Sequence, residues 1–451
     1  MSNATPPNLF LNVFINKEKT KVLFAEARGD LINVLLSFLT LPLGKIVAIL
    51  QKHNGSAAIG SLTTLYKGLS ELDTSHFSTP AAKQMLLNPR SSFDAQCRKL
   101  AFDLADTAPL RYFLCEDVKC PINADSKYAS TNICMYSDIA KCACGRSFNR
   151  ELSIAEHRDE AGAFVFSPLY FIIFDDLRVE PILKFEALTD LGITDTQGAE
   201  MRTLSLGFHE FCELLKLSLT SATPLTDMVL RKNTVQNPHF WCWVSAAIDS
   251  RKMDLRAFLH KSTNKFLFAE ATDEFVELLF SFLTVPLCGV EFLLSNNTPL
   301  KNIDNLYSSL LYADDLLFVN IDTQNILTKP KLPHGYLSKN QLLPLSEEGP
   351  PKLYYKEKRF QTLENGVWKS WYECSFHEKR GTMVPSFKSR KEAYAKKHTM
   401  CFVSDDLTMS PCLASRISIL NDVGIHPSDV KETELHIGRN EALGILKASL
   451  I

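Results

Sequence analysis

The sequence has no surplus of charge of either sign: 49 Lys plus Arg stand against 51 Asp plus Glu over 451 residues, a formal charge of −2. That balance excludes a chain-wide basic field for nucleic acid or anionic membrane, so any such surface must be local. Glycine and proline are sparse, 18 and 21, which excludes collagenous and Pro/Gly-rich disordered chains. No P-loop, G-x-G-x-x-G, G-x-S-x-G elbow, H-E-x-x-H or kinase signature occurs, so the common nucleotide, serine-hydrolase and zinc-protease chemistries have no local mark. A site assembled only by folding leaves no such mark either. The opening MSNATPPN lacks a basic n-region and an apolar core, so residues 1–8 read as a flexible terminus without a secretory leader. Residues 31–50 are apolar, yet Asn33, Pro42, Gly44 and Lys45 fall inside the roughly 20 positions a membrane span needs. A buried helix broken at proline is expected, and no membrane span. Twelve Cys in a chain without a leader are expected as thiols or metal ligands rather than disulfides, which places the protein in the cytoplasm or nucleus.

What is present is a globular composition, 45% hydrophobic and 22% charged, and a length that allows two or three domains, each able to bury a real core. A long internal repeat runs through it. NKEKTKVLFAEARGDLINVLLSFLTLPLG at 16–44 returns as HKSTNKFLFAEATDEFVELLFSFLTVPLC at 260–288, with LFAEA and SFLT-x-PL at the same separation. The order continues: Leu65-Tyr66 matches Leu306-Tyr307, Tyr112-Phe113 matches Tyr354-Tyr355, FDDLRVEP at 174–181 matches SDDLTMSP at 404–411, and 204–219 matches 435–450. We therefore expect a first unit over 9–230 with a Cys-rich insert at 115–144, a linker over 231–253 where RKNTVQNP breaks the pattern, and a second unit over 254–451. A Pro- and Lys-rich stretch at 324–351 reads as an exposed loop inside the second unit.

Each unit opens with two β-favouring runs around a polar turn, a hairpin signal. A helix follows, starting at Gly29 or Asp30, with Leu31, Val34, Leu35, Phe38 and Leu39 at helical spacing until Pro42. Later come an alternating strand around 164–174, a helix ending at Gly192, a strand over 201–206 and a helix from Gly207 with Phe208, Phe211, Leu214 and Leu215 on one face. The fold class is α+β: two tandem homologous units, each with a β-hairpin, a mixed or antiparallel sheet and packed helices.

Three constellations carry candidate chemistry. Cys115-x4-Cys120 followed by Cys142-x-Cys144-Gly145, with Cys134 between, offers enough thiolates to close a tetrahedral zinc shell. The C-A-C pair is tight for that arrangement, so Cys134 is an alternative ligand, and unligated thiols in a polar loop are the other reading; the second unit has Glu357 in place of Cys115. A four-thiolate site leaves no open position for water, so its role would be structural. Asp175-Asp176 and Asp405-Asp406 suit a divalent ion or a shared proton, but adjacent strand residues point to opposite faces, and turn capping accounts for them equally. Glu26 and Glu270 at the strand ends either face a pocket or simply precede a helix. Residues 352–398 carry 12 Lys plus Arg against 5 Glu, about +7, with Tyr354, Tyr355, Trp368, Trp371, Tyr372 and Tyr394 interleaved; phosphates meet such bases and aromatic faces stack on nucleobases. A solvated sheet face is the plain alternative. His157 and His209 lie on expected helices, where a surface or half-buried histidine is the default.

The motifs VLFAEA with SFLTLPLG, LLNPR at 86–90, KCACG at 141–145, DDLRV-x-P and SATPLTDMVL at 221–230 resemble the land-plant domain-of-unknown-function family 674 over essentially the full length. The resemblance implies a plant protein and brings no reaction, cofactor or catalytic residue with it. The second unit departs from the pattern in its middle, where no Cys pair occurs. The sequence thus leads us to expect a non-enzymatic interaction or regulatory scaffold with an unidentified protein partner and one structural zinc on Cys115, Cys120, Cys142 and Cys144. Nucleic-acid binding through 352–398 is the alternative, and an enzyme with a site between the units is the third reading. No catalytic or cofactor-binding residue is assigned.

Overall fold

Leu9, Leu11, Val13 and Ile15 of β1 (Leu9–Ile15) are buried while the residues between them are exposed or half-covered, the period-2 pattern of a strand with one face on a core. Asn16 closes the turn, its Oδ1 accepting from the backbone N–H of Thr20 and Lys21 at 2.8 and 2.9 Å, an Asx device that fixes the register. β2 (Val22–Arg28) runs directly into α1 (Gly29–Thr40), where every residue except Asp30 is buried. A helix apolar all round belongs at the centre of a core, and Pro42, with no N–H to donate, ends it. α2 (Leu43–His53), α3 (Gly60–Glu71), α4 (Pro80–Leu87) and the one-turn α5 (Asp94–Cys97) follow. The computed structural model describes residues 8–53, 55, 58–106, 111–117, 132–134, 142, 144–152, 163–182, 198–231, 251–320, 322–338, 341–348, 354–364, 367–380, 382–383, 393–411, 420–421 and 424–451. The expected linker lies almost wholly outside these, as do His157 and the helix expected to end at Gly192.

An insert carries β3 (Tyr112–Cys115), β4 (Asn132–Cys134) and β5 (Phe148–Leu152). The first half then adds β6 (Tyr170–Phe174), β7 (Val179–Pro181), β8 (Glu200–Leu206), α6 (Phe208–Thr220) and α7 (Pro224–Leu230). Its sheet has the order β7-β6-β2-β1-β8, antiparallel throughout. In the second half, β9 (Met253–His260) and β10 (Phe266–Ala271) lead into α8 (Asp273–Phe282), α9 (Leu287–Leu293), α10 (Lys301–Leu311) and α11 (Thr323–Thr328). β11 (Tyr354–Glu364) and β12 (Val367–Arg380) form a two-stranded ribbon, and β13 (Thr382–Met383) pairs in parallel with β4 of the insert. β14 (Cys401–Ser404), β15 (Met409–Pro411), β16 (Val430–Ile437) and α12 (Arg439–Ala448) complete the chain. The second sheet, β15-β14-β10-β9-β16, is again wholly antiparallel and repeats the order of the first.

The halves are joined through matched positions. Pro42 and Pro286 of the two SFLT-x-PL runs form an antiparallel bridge, with Leu43 N–H donating to Val285 C=O at 2.9 Å and Leu287 N–H to Leu41 C=O at 3.0 Å. Each half also lends its middle to the other. Val165 bridges Phe318, and Ala395 bridges the matching Phe77. Asn305 of α10 donates to Asp176 C=O at 3.0 Å, while Thr64, its counterpart on α3, donates to Asp406 C=O. α3 thus packs on the edge of the second sheet and α10 on the edge of the first.

Through this exchange the two halves share a core. The main apolar cluster is continuous and takes Leu35, Phe38 and Leu65 from one half and Phe280, Phe282 and Leu306 from the other. Residues 324–351 differ from the expected exposed loop: Leu327, Leu332, Tyr336, Leu342 and Leu343 are buried in that same cluster. Their Pro and Lys content masked an apolar pattern that is satisfied by distant chain. Among the described residues no helix is long and apolar enough to cross a membrane.

Candidate metal centre

Three of the four predicted thiols converge. The Sγ atoms of Cys115, Cys142 and Cys144 lie within 4.8 Å of one another, and Cys115 Sγ to Cys144 Sγ is 3.5 Å. Thiolates around a tetrahedral ion with Zn–S bonds of about 2.3 Å sit about 3.5–4 Å apart, so the spacing is close to that of a ligated set. Local geometry explains how the tight C-A-C pair reaches it. Gly145 adopts φ +86° with open space around it, its N–H donates to Cys142 C=O at 2.7 Å, and Cys142 N–H donates to Arg146 C=O at 2.7 Å. A side chain would strain that left-handed position. The register of β3 on β5 shifts between Leu114 and Cys115, a bulge of the kind that re-aims a side chain. Arg150 Nε donates to Cys115 C=O at 2.6 Å, and Arg146 lies 3.7 Å from Asp117. Cys115 and Cys142 are buried and Cys144 is half-buried.

The fourth predicted ligand, Cys120, lies outside the described residues. Cys134 is on β4, where the register sets it opposite Phe113, two positions before Cys115. The apolar cluster around the thiols consists of Phe113, Cys115, Cys142 and Phe148. Among the described residues this cluster is small.

The acidic pairs do other work. Asp175 is buried and accepts from Thr226 N–H at 2.8 Å and Thr226 Oγ1 at 2.6 Å, which ties the DDLRV motif to the SATPLTD motif at the start of α7. Burial raises its pKa, opposed by the Thr226 hydrogen bonds. Asp176 turns the other way, to Arg178 at 3.1 Å. Asp406 accepts from Thr408 N–H at 3.0 Å and from Ser404 Oγ at 2.5 Å. Asp176 and Asp406 therefore follow the turn-capping alternative, each accepting from the backbone N–H two residues on, with Leu177 and Leu407 in the left-handed region at φ 61° and 59°. Glu26 is raised in pKa by partial burial; Glu270 is buried beside Arg256 at 3.3 Å. In LLNPR, Asn88 accepts from the buried Lys45 at 2.6 Å and Arg90 pairs with Asp94 at 3.1 Å. His209 is exposed on α6.

Among the described residues, the most strongly shifted carboxyl carries no local signature that sequence reasoning singled out. Glu291 on α9 is fully buried, and its Oε2 has no hydrogen-bond partner. Burial, and next the Asp304 carboxylate beside it, push its pKa well above the ordinary value, which favours the protonated form. A lone Glu in the apolar run G-V-E-F-L was the signal. The buried thiols of Cys97 and Cys212 are pushed up to about 12 and about 11 by burial and are poor nucleophiles.

No curated protein and no solved structure matches the chain. The motifs that thread the sheets, turns and insert extend over nearly all of it, and so does the family whose model matches residues 5–440: the chain belongs to the family described as Protein of unknown function (DUF674).

Proposed function

We propose that the chain is a non-enzymatic interaction protein in which a structural zinc ion orders the cysteine-rich insert as a partner-facing element. The convergence of Cys115, Cys142 and Cys144 carries this reading. A shell completed by Cys120 or Cys134 would hold the ion by four thiolates, without the open position a catalytic zinc keeps. Metal binding supplies ordering free energy beyond that of the small apolar cluster its described residues form. Cobalt substitution is the test: the full chain loaded with Co(II) should give the thiolate charge-transfer and intense d–d absorption of a tetrahedral sulfur site. A weak, octahedral-type spectrum would reject it.

A second reading rests on the β11–β12 ribbon, an antiparallel pair of 11 and 14 residues within the basic region 352–398. A two-stranded ribbon fits the major groove of DNA. Mobility shift across salt separates the readings. Binding that falls steeply with salt supports the nucleic-acid role; no shift at low salt leaves the interaction role.

A further inference from the structure

We propose that the cavity between α10 and the β7 edge of the first sheet is a binding site for an uncharged apolar small molecule of one or two rings. Its volume is about 320 Å³. An apolar cavity of about 150 Å³ takes benzene, and ligand sites begin near about 300 Å³. Leu36, Val165, Phe171, Leu317 and Phe318 form its apolar wall. Most of the wall's polar groups are engaged elsewhere: Ser309 Oγ accepts from Val179 N–H at 2.9 Å and donates to Asn305 C=O at 3.0 Å, Ser308 Oγ accepts from Asn296 Nδ2 at 2.6 Å, Asn305 Nδ2 donates to Asp176 C=O, and Arg178 is held by Asp176, while the half-buried Glu180 adds a carboxylate to the lining. Arg178 and Glu180 bring opposite charges, so this otherwise mainly apolar lining has no net charge with which to repay the lost hydration of an ion, and it suits a neutral guest.

The matching place in the other half shows what keeps this one open. There Gly68 stands where α10 has Ser309, and a Cβ on Gly68 would lie 3.3 Å from the Met409 nitrogen. Helix and strand are in direct contact. Phe280, in the place of Leu36, stacks on Phe77 with ring centroids 5.7 Å apart, and the buried Leu72 stands where α10 is followed by Ala313. In the first sheet Ser309 acts as a hydrogen-bonded spacer, and Leu36 and Ala313 leave the space beside it free. Tyr312, 88% exposed, stands at the mouth.

The test is a titration of the full-length chain with 1-aminonaphthalene, a neutral two-ring probe whose emission shifts to the blue in apolar surroundings. Saturable one-to-one binding is expected. Ala313→Leu, which installs the other half's residue, should weaken it at least about tenfold with no fall in melting temperature, and Leu36→Phe provides the same loss independently should the first variant misfold. Leu316→Ser removes an 82% exposed side chain outside the cavity and should change nothing. No saturable binding, undiminished binding in both filled variants, or an equal loss in Leu316→Ser would overturn the proposal.

Discussion

At Glu291 a carboxyl sits on α9 with its Oε2 unpaired and its pKa raised by burial. Its folded-state pKa lies above the unfolded one, so the folded chain binds the extra proton. The associated stability is complete below the ordinary carboxylate range and is lost as pH rises toward the folded-state value. Glu291→Gln keeps a neutral group of the same shape and should raise the urea midpoint at about pH 8, with the gain shrinking toward about pH 4. An equal gain at both pH values would mean that folding leaves the carboxyl's pKa unshifted. Carboxylates of this kind separate what a sequence displays from what it hides. Asp175 and Asp176 were visible as a pair, and strand alternation already argued that they diverge; the Thr226 and Arg178 partners that occupy them come from folding. Cys115, Cys142 and Cys144 were legible because thiols at short spacing carry few alternatives, whereas Glu291 looks like any other helical Glu.

Helix α1 and the proline after it are the elements the sequence displayed best, since a 3.6-residue apolar period needs no knowledge of the neighbours. Their partner was hidden. The SFLT-x-PL runs recur because they meet each other, and Gly44 sits at that contact: a Cβ there would lie 3.0 Å from the Leu283 carbonyl oxygen and 3.3 Å from that of Leu86. Gly44→Ala should therefore cost about 1–3 kcal/mol, although a helical glycine in open space would gain from the same change. Urea unfolding measures the difference, and a neutral or stabilised variant would show that the backbones have room to part. The stretch 324–351 failed as an expected exposed loop for the same reason that α10 could not be placed. Leu332 and Tyr336 are buried through contacts with chain remote in sequence, which no local window reports.

At the scale of the whole molecule, two sheets of the same order share one core, and α3 and α10 cross to the opposite sheet. Residues 1–231 or 251–451 expressed alone would expose the apolar face that the other half covers. Each should fail to unfold cooperatively as a monomer, and co-expression should restore one sharp transition; two independently stable monomers would contradict the shared core. On this matched frame the chemistry is unmatched, with thiols gathered only in the insert of the first half among the described residues. Cys142→Ser should accordingly remove the metal, whereas Cys374→Ser on β12 should leave it in place. The most direct measurement is elemental analysis of the purified full chain under reducing, chelator-free conditions. One zinc per chain is the expected result, and less than about a tenth of an equivalent would contradict a structural thiolate centre.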